Sequence, residues 1–278
     1  MWRSLLYVPA NVERFIEKAQ HANADAIILD LEDSVPAAHK GSARAQLSAA
    51  IQTCAQGGAD VLVRINRPLE LAVADLEAAM DAGCKAVLAP KVMGPDHVAL
   101  LAEMIDERGG DIAIVAMVET ANAVQYMHAI ARAPRVCAMI VGTEDIAAEI
   151  GCAPDSDVLR TLKLNMVTAC AAAGIAPLGL LDSVADFKDQ ERLRGVALEA
   201  RANGYAGATC IHPSAVPILN AAFSPSEAEL NLARRQLETA AAARAQGRGS
   251  AVVDGRMIDA PILRRAAQVL RVGERTTR

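Results

Sequence analysis

Residues 111–145, DIAIVAMVETANAVQYMHAIARAPRVCAMIVGTED, hold the reading on which the fold turns. Two apolar runs, 112–118 and 136–141, flank an amphipathic segment at 122–133, and an acid follows each run. The first run closes on Glu119-Thr120-Ala121 and the second on Gly142-Thr143-Glu144-Asp145. Continuous apolar runs suit parallel strands buried on both faces, so the stretch predicts a strand, a helix and a second, parallel strand. Ligands of parallel α/β sheets collect at the C-terminal strand ends, which brings Glu119 and Asp145 to one functional edge. Carboxylates brought together in a cleft repel, and a shared proton or a divalent cation relieves them. A single such acid reads as a helix cap, Asp145 especially, but two on adjacent strands point toward a metal.

The same alternation extends in both directions. Strands are expected at 4–8, 26–31, 60–65 and 86–89 before the central unit, and at 176–181 and 207–211 after it. Helices are expected at 12–22 with Asn11 as N-cap, at 39–56, 69–82 and 95–108, from Ser156 or Asp157 to 173, and at 186–203. Residues 146–154 read as a short irregular insert. Eight strands, each followed by a helix at a spacing of about 25 to 30 residues, predict a (β/α)8 TIM barrel over 1–223. Residues 224–278 fall outside that count as a C-terminal helical arm. They read as an Ala- and Arg-rich helix at 226–247, a small-residue linker at 249–255 and a helix within 257–272, either a local cap or a lid on a neighbouring subunit.

Composition narrows the function. The 278 residues are 53% apolar but only 3% aromatic, so Ala, Val, Leu and Ile must build the core. A net charge of −5 argues against nucleic acid or an anionic membrane as partner. No apolar run approaches the roughly 18 to 20 residues of a membrane span. Six dispersed cysteines without a C-x-x-C pair suit buried thiols in a reducing cytoplasm, so a soluble, cytoplasmic protein is expected.

On the barrel reading, Asp30, Glu32, Arg64, Lys91, Glu119, Asp145, Asp182 and His212 gather at one mouth. Lys91, Asp182 and His212 are read as rim ion pairs and caps. Glu119, Asp145 and Arg64 form a more specific set. Mg²⁺ keeps several waters and needs only one or two protein carboxylates, so it suits the two acids. A 2-oxo acid would chelate it through carboxylate and keto oxygens while Arg64 held the same substrate. That arrangement fits carbanion or enolate chemistry.

The motifs RSLLYVPAN (3–11), LEDSV (31–35) followed by Lys40, VRIN (63–66), VETA (118–121), GTED (142–145), CIHP (210–213) and DGRMIDAP (254–261) occur in this order. Together they resemble the citrate lyase beta subunit family within the HpcH/HpaI aldolase/citrate lyase superfamily, which also holds malyl-CoA and citramalyl-CoA lyases. The resemblance implies a TIM barrel with Mg²⁺ on Glu119 and Asp145, and substrate contacts through Arg64, Glu32 and Glu119. It implies acyl-CoA and 2-oxo acid substrates and a homo-oligomer, a trimer by resemblance, whose C-terminal lid brings Asp259 to a neighbouring site as an acid. Asp259 reads equally as the N-cap of the last helix. Ala123 and Ala215 stand where relatives often carry Gly and Gln, which bears on the mouth and on thioester binding.

The expected activity is Mg²⁺-dependent carbon–carbon cleavage, or the reverse condensation, of a 3-hydroxyacyl-CoA such as malyl-, citramalyl- or citryl-CoA into a 2-oxo acid and an acyl-CoA. One rival is a CoA-independent 2-oxo acid aldolase, which would need a His base near the first strands, where His21 and His39 stand. Another is a citrate lyase beta subunit active only in a complex.

Overall fold

The computed structural model describes residues 2–182, 189–247 and 250–276. Eight parallel strands build its sheet: β1 (Ser4–Pro9), β2 (Ala26–Asp30), β3 (Asp60–Arg64), β4 (Ala86–Ala89), β5 (Ala113–Val118), β6 (Val136–Val141), β7 (Ala176–Leu178) and β8 (Ala208–Cys210). Their spatial order is β7-β6-β5-β4-β3-β2-β1-β8, and a parallel bridge from Leu178 to Gly207 joins the two ends. This is the expected (β/α)8 barrel. Gly207 is required at the closure, because a Cβ there would collide with the Trp2 carbonyl oxygen.

Period two along each strand separates two cores. Leu5, Ala26, Ile28, Leu62, Leu88, Val115, Met117 and Ile140 fill the barrel interior. Leu6, Ile27, Leu29, Val63, Val87 and Ile114 face outward into the larger core that the helices cover. Both faces are dry, which is why the strands read as continuous apolar runs. Two residues beyond the last interior apolar side chain, the same parity puts Tyr7, Asp30, Arg64, Glu119 and Gly142 at the top of the barrel. The register pairs Asp30 with both Pro9 and Arg64.

Several element boundaries differ from expectation. The seventh strand stops at Leu178, not 181, because Gly179 turns the chain at φ 137° and donates its N–H to Gly207 O at 2.9 Å. The eighth is also short. The insert at 146–154 begins inside a helix, Thr143–Ile150, which Gly151 ends in the left-handed conformation. The helix at 39–56 divides into a 3₁₀ turn, Ala37–His39, and two helices, Lys40–Ala45 and Leu47–Ala55. At the break, the Gln46 N–H is shared between Ser42 O and Ala43 O. The helix at 122–133 likewise splits at Tyr126 into Ala121–Gln125 and Met127–Ile130. Asn11 caps nothing, since the first helix is Glu13–Ala19 with Val12 at the N-cap position and no side-chain cap. The helix at 186–203 is seen as Gln190–Ala202; 186–188 lie outside the described residues.

The chain divides into two compact units, Met1–Phe223 and Ser224–Arg278. In the second, Ser226 and Glu229 form a capping box that starts the helix Glu227–Ala245. The linker at 249–255, of which Gly249 lies outside the described residues, is mostly a hairpin instead. Its strands β9 (Ala251–Val253) and β10 (Arg256–Ile258) are joined by Asp254-Gly255 at φ 49° and 76°. Two successive positive φ values are what a two-residue hairpin turn of this hand requires. The last helix, Ala260–Thr276, therefore starts later than 257, because Met257 and Ile258 belong to β10. No helix among the described residues is long and apolar enough to cross a membrane. All six cysteines are free.

Candidate active site

One corner of the barrel top is built by β2 and β3. Arg64 Nε and Nη2 donate to Asp30 Oδ1 and Oδ2, each at 2.7 Å. Asp30 also accepts the N–H groups of Glu32 at 2.9 Å and Ser34 at 3.1 Å. Burial alone would push the Asp30 carboxyl up, but the Arg64 guanidinium and these donors hold it below the usual carboxylate range. The Tyr7 ring lies 5.0 Å from the guanidinium carbon and covers its face. Only Nη1 is left to turn outward. It donates to Asp33 Oδ2 at 3.2 Å, and Asp33 is 64% exposed.

A buried network beneath this corner fixes its backbone. Lys40 Nζ donates to Leu31 O at 2.8 Å, Glu32 O at 2.9 Å and Asn66 Oδ1 at 2.5 Å. Asn66 Nδ2 donates to Leu31 O and to the fully buried Asp75, which pairs with Arg44 at 2.7 Å. The loop carrying Asp30, Glu32 and Asp33 is thereby tied to the end of β3.

The opposite corner, at β5 and β6, is far less satisfied. Glu119 is 4% exposed and accepts one hydrogen bond, from the Lys91 N–H at 2.7 Å. Burial, aided by the charges of Glu32 and Asp145, pushes its carboxyl up to about 7. Gly142 lies against it; a Cβ there would fall 2.5 Å from Glu119 Cγ and Oε1. Asp145 stands in the first turn of Thr143–Ile150, whose N-cap position is Gly142, and it makes no cap. It is 44% exposed, with the Lys91 ammonium 3.8 Å away.

Lys91 and Glu32 link the corners. Lys91 Nζ donates to Glu32 Oε1 at 2.9 Å, while Glu32 Oε2 lies 3.0 Å from Arg64 Nη1 without an aligned hydrogen bond. Burial pushes the Glu32 carboxyl up against the pull of Lys91 and Arg64. Arg64, Glu32, Glu119 and Asp145, all expected at the mouth, are thus linked, Arg64 to Glu32 directly and Glu119 and Asp145 through Lys91. Among the described residues no group of three or more His, Cys, Asp or Glu converges as a ready-made metal cage. Two carboxylates, one with a single hydrogen bond and the other exposed, suit an ion that retains water, as Mg²⁺ does.

Asp259 belongs to the second unit. Its Oδ1 accepts the Ile262 N–H at 3.3 Å, so in this structure it caps the last helix. Asp182 pairs with Arg160 at 3.1 Å, and His212 Nδ1 accepts the Ser214 N–H. Sequence reasoning did not single out Tyr7, Asn66, Asp75 or Lys163. Lys163 is buried on the helix Asp157–Ala173 and donates to Leu181 O at 2.8 Å, and burial pushes its ammonium down. A run of period-two parity from Leu5 to Tyr7 would have pointed to the tyrosine; no local signal marks the others. Beside Arg64 a cavity of about 760 Å³ opens between the ends of β1, β2 and β8, walled by Phe15, Ile211 and Pro213 with Lys18 at its edge.

The model of the HpcH/HpaI aldolase/citrate lyase family matches residues 3–213. A (3S)-malyl-CoA thioesterase of Cereibacter sphaeroides is 39% identical, over 93% of this chain and 90% of its own length. The mitochondrial citramalyl-CoA lyase of Rattus norvegicus is 28% identical, over 96% of this chain and 85% of its own. Among solved structures, protein CitE of Mycobacterium tuberculosis in complex with magnesium, acetoacetate and coenzyme A superposes with a TM-score of 0.79. It is 32% identical and covers 98% of this chain and 97% of its own.

Proposed function

The chain belongs to the HpcH/HpaI aldolase/citrate lyase family, and from that premise we propose that it is a magnesium-dependent carbon–carbon lyase of 3-hydroxyacyl-CoA thioesters. Malyl-, citramalyl- and citryl-CoA are the substrates of that class, cleaved to a 2-oxo acid and an acyl-CoA. The observation that carries the reading is the β5–β6 corner: a buried Glu119 that packs against Gly142 and accepts a single hydrogen bond, with the charge of the exposed Asp145 acting on it.

Glu119 and Asp145 would hold the ion. When bound, magnesium supplies a Lewis acid for the keto and carboxylate oxygens of the 2-oxo acid portion. Arg64 enters the reaction already oriented, since two of its nitrogens are committed to Asp30 and its face to Tyr7. Its Nη1 exchanges the exposed Asp33 for the substrate carboxylate, a swap that costs little because exposed ion pairs are weak. Glu32 Oε2, buried and without an aligned donor, accepts the hydrogen bond of the substrate hydroxyl. Transfer of that proton to Glu32 lets the hydroxyl oxygen become the 2-oxo carbonyl while the carbon–carbon electron pair passes to the thioester carbonyl, and the enolate is then protonated at carbon. The acid for that last step is Asp259, carried by the 224–278 arm of a neighbouring copy in a homo-oligomer, with 1–223 as the catalytic barrel. The apolar walls and Lys18 of the cavity beside Arg64 suit the arm and phosphates of the CoA.

The 39% identical malyl-CoA thioesterase supports a second reading, hydrolysis of the same thioester by water. One assay separates them: the purified chain with each of the three thioesters, with Mg²⁺ or EDTA, following the 2-oxo acid and free CoA thiol together. A lyase releases 2-oxo acid with no thiol, and a thioesterase releases thiol. Turnover that survives EDTA would sink the magnesium reading. Silence on all three thioesters but turnover of free hydroxy-oxo acids identifies the CoA-independent aldolase, and silence on both identifies a subunit that needs partners.

A further inference from the structure

Lys91 reaches acids on both sides of the barrel mouth, Glu32 on one and the proposed metal corner of Glu119 and Asp145 on the other. Its backbone lies in the left-handed region at φ 47°, which most side chains avoid. From there its N–H donates to Glu119 Oε2 at 2.7 Å. Its ammonium reaches Glu32 Oε1 at 2.9 Å and lies 3.8 Å from Asp145 and 4.0 Å from Asp33. One residue therefore presents a backbone donor to the first proposed magnesium ligand and a full positive charge to the second.

We infer that Lys91 is the built-in counter-ion of this acid cluster, and that a divalent cation on Glu119 and Asp145 binds in competition with its ammonium. The inference rests on the magnesium reading proposed above. Two cations drawn to one carboxylate repel, with an energy that falls off inversely with their separation. Glu32 makes the exchange possible: its side chain is 9% exposed and holds the ammonium at hydrogen-bond distance, so Lys91 can give up Asp145 without being left unpaired. Arg64 has no such freedom, because Asp30 holds two of its three nitrogens. The lysine thus keeps the acids compatible with a folded barrel and sets how tightly the metal is held.

The test is calorimetric titration of the full-length chain with Mg²⁺ alone at pH 8, for wild type, Lys91→Met, Lys91→Gln and Lys91→Arg. Each variant keeps the N–H that positions Glu119. Competition requires Lys91→Met and Lys91→Gln to bind Mg²⁺ more tightly by about tenfold or more, the order expected when a unit charge leaves a partly exposed site. Lys91→Arg keeps the charge and should stay within about threefold of wild type. A lysine that only braced the loop would give the opposite sign, because loosening Glu119 and Asp145 weakens the metal. Two neutral variants, either of which suffices if the other does not fold, guard the result. Unchanged or weaker binding by the neutral variants, with wild type binding normally, overturns the competition alone. No binding by any of the four proteins overturns the magnesium reading and the inference with it.

Discussion

Asp30 and Glu119 occupy equivalent places, each at the top of the barrel interior, 2% and 4% exposed, yet their protonation is driven in opposite directions. Asp30 accepts four hydrogen bonds, two of them from a guanidinium. Glu119 accepts one. The first carboxyl is held below its usual range and the second is pushed up to about 7, mainly by burial. Burial is therefore not what distinguishes them; the supply of donors is. A saturated acid organises its neighbours, and an unsaturated one beside a second carboxylate keeps its lone pairs for something that arrives from outside.

The largest effect should come from neutralising the unsaturated corner. On the proposed metal role, Glu119→Gln or Asp145→Asn should lower kcat/KM by about a thousandfold or more, while the melting temperature at pH 8 stays at or above that of wild type. Asp30→Asn should behave differently. It leaves the Arg64 guanidinium facing a neutral amide, and breaking one half of such a buried pair costs about 3 to 5 kcal/mol. Thermal unfolding of the three variants breaks the comparison if Glu119→Gln is the one that unfolds early.

The barrel was legible because parallel strands dry on both faces leave continuous apolar runs, and eight of them appear in order. Their ends were less so: Gly179 cuts β7 short through a φ that only the folded chain displays, and the three-residue strands of the hairpin gave no periodic signal around Asp254-Gly255. Glu119, Asp145 and Arg64 could be read as site candidates because Arg64 ends β3, Glu119 directly follows β5 and Asp145 stands just past β6 in the first turn of the next helix. Lys91 read as a rim ion pair, since nothing in Pro90-Lys91 announces a left-handed backbone. Asp75 sits in the middle of a helix, and its burial under Asn66 and Arg44 is a tertiary fact with no local trace.

The opposite shifts also predict opposite pH slopes. Asp30, held below the usual range, contributes stability that is present above that range and is lost as pH falls below it through its lowered folded value. Glu119 does the reverse: the folded state favours its proton, so its contribution is full in acid and is lost as pH rises from the ordinary carboxylate range through about 7. Glu119 must be ionised to act as the proposed magnesium ligand, so on that proposal Mg²⁺ affinity should fall about tenfold from pH 8 to pH 6, and the stabilisation Mg²⁺ confers should shrink with it. Thermal shift with and without Mg²⁺ across this window reads both. A flat Mg²⁺ response would show that Glu119 is ionised throughout and that its single hydrogen bond suffices.

The smallest effect tests how far the saturated corner is open. Arg64 gives its buried nitrogens to Asp30 and only Nη1 to Asp33, whose carboxylate is 64% exposed and 3.2 Å away. Exposed pairs of that length contribute about 0 to 1 kcal/mol, so Asp33→Asn should leave the unfolding free energy almost unchanged. If Nη1 exchanges Asp33 for a substrate carboxylate, the variant removes a competitor and KM for the thioester should fall, by about threefold for a pair of this strength, with kcat held. A rise in KM would mean that Asp33 positions Arg64 instead of yielding to substrate. The β2–β3 corner would then be closed to substrate, leaving the β5–β6 corner alone to receive it.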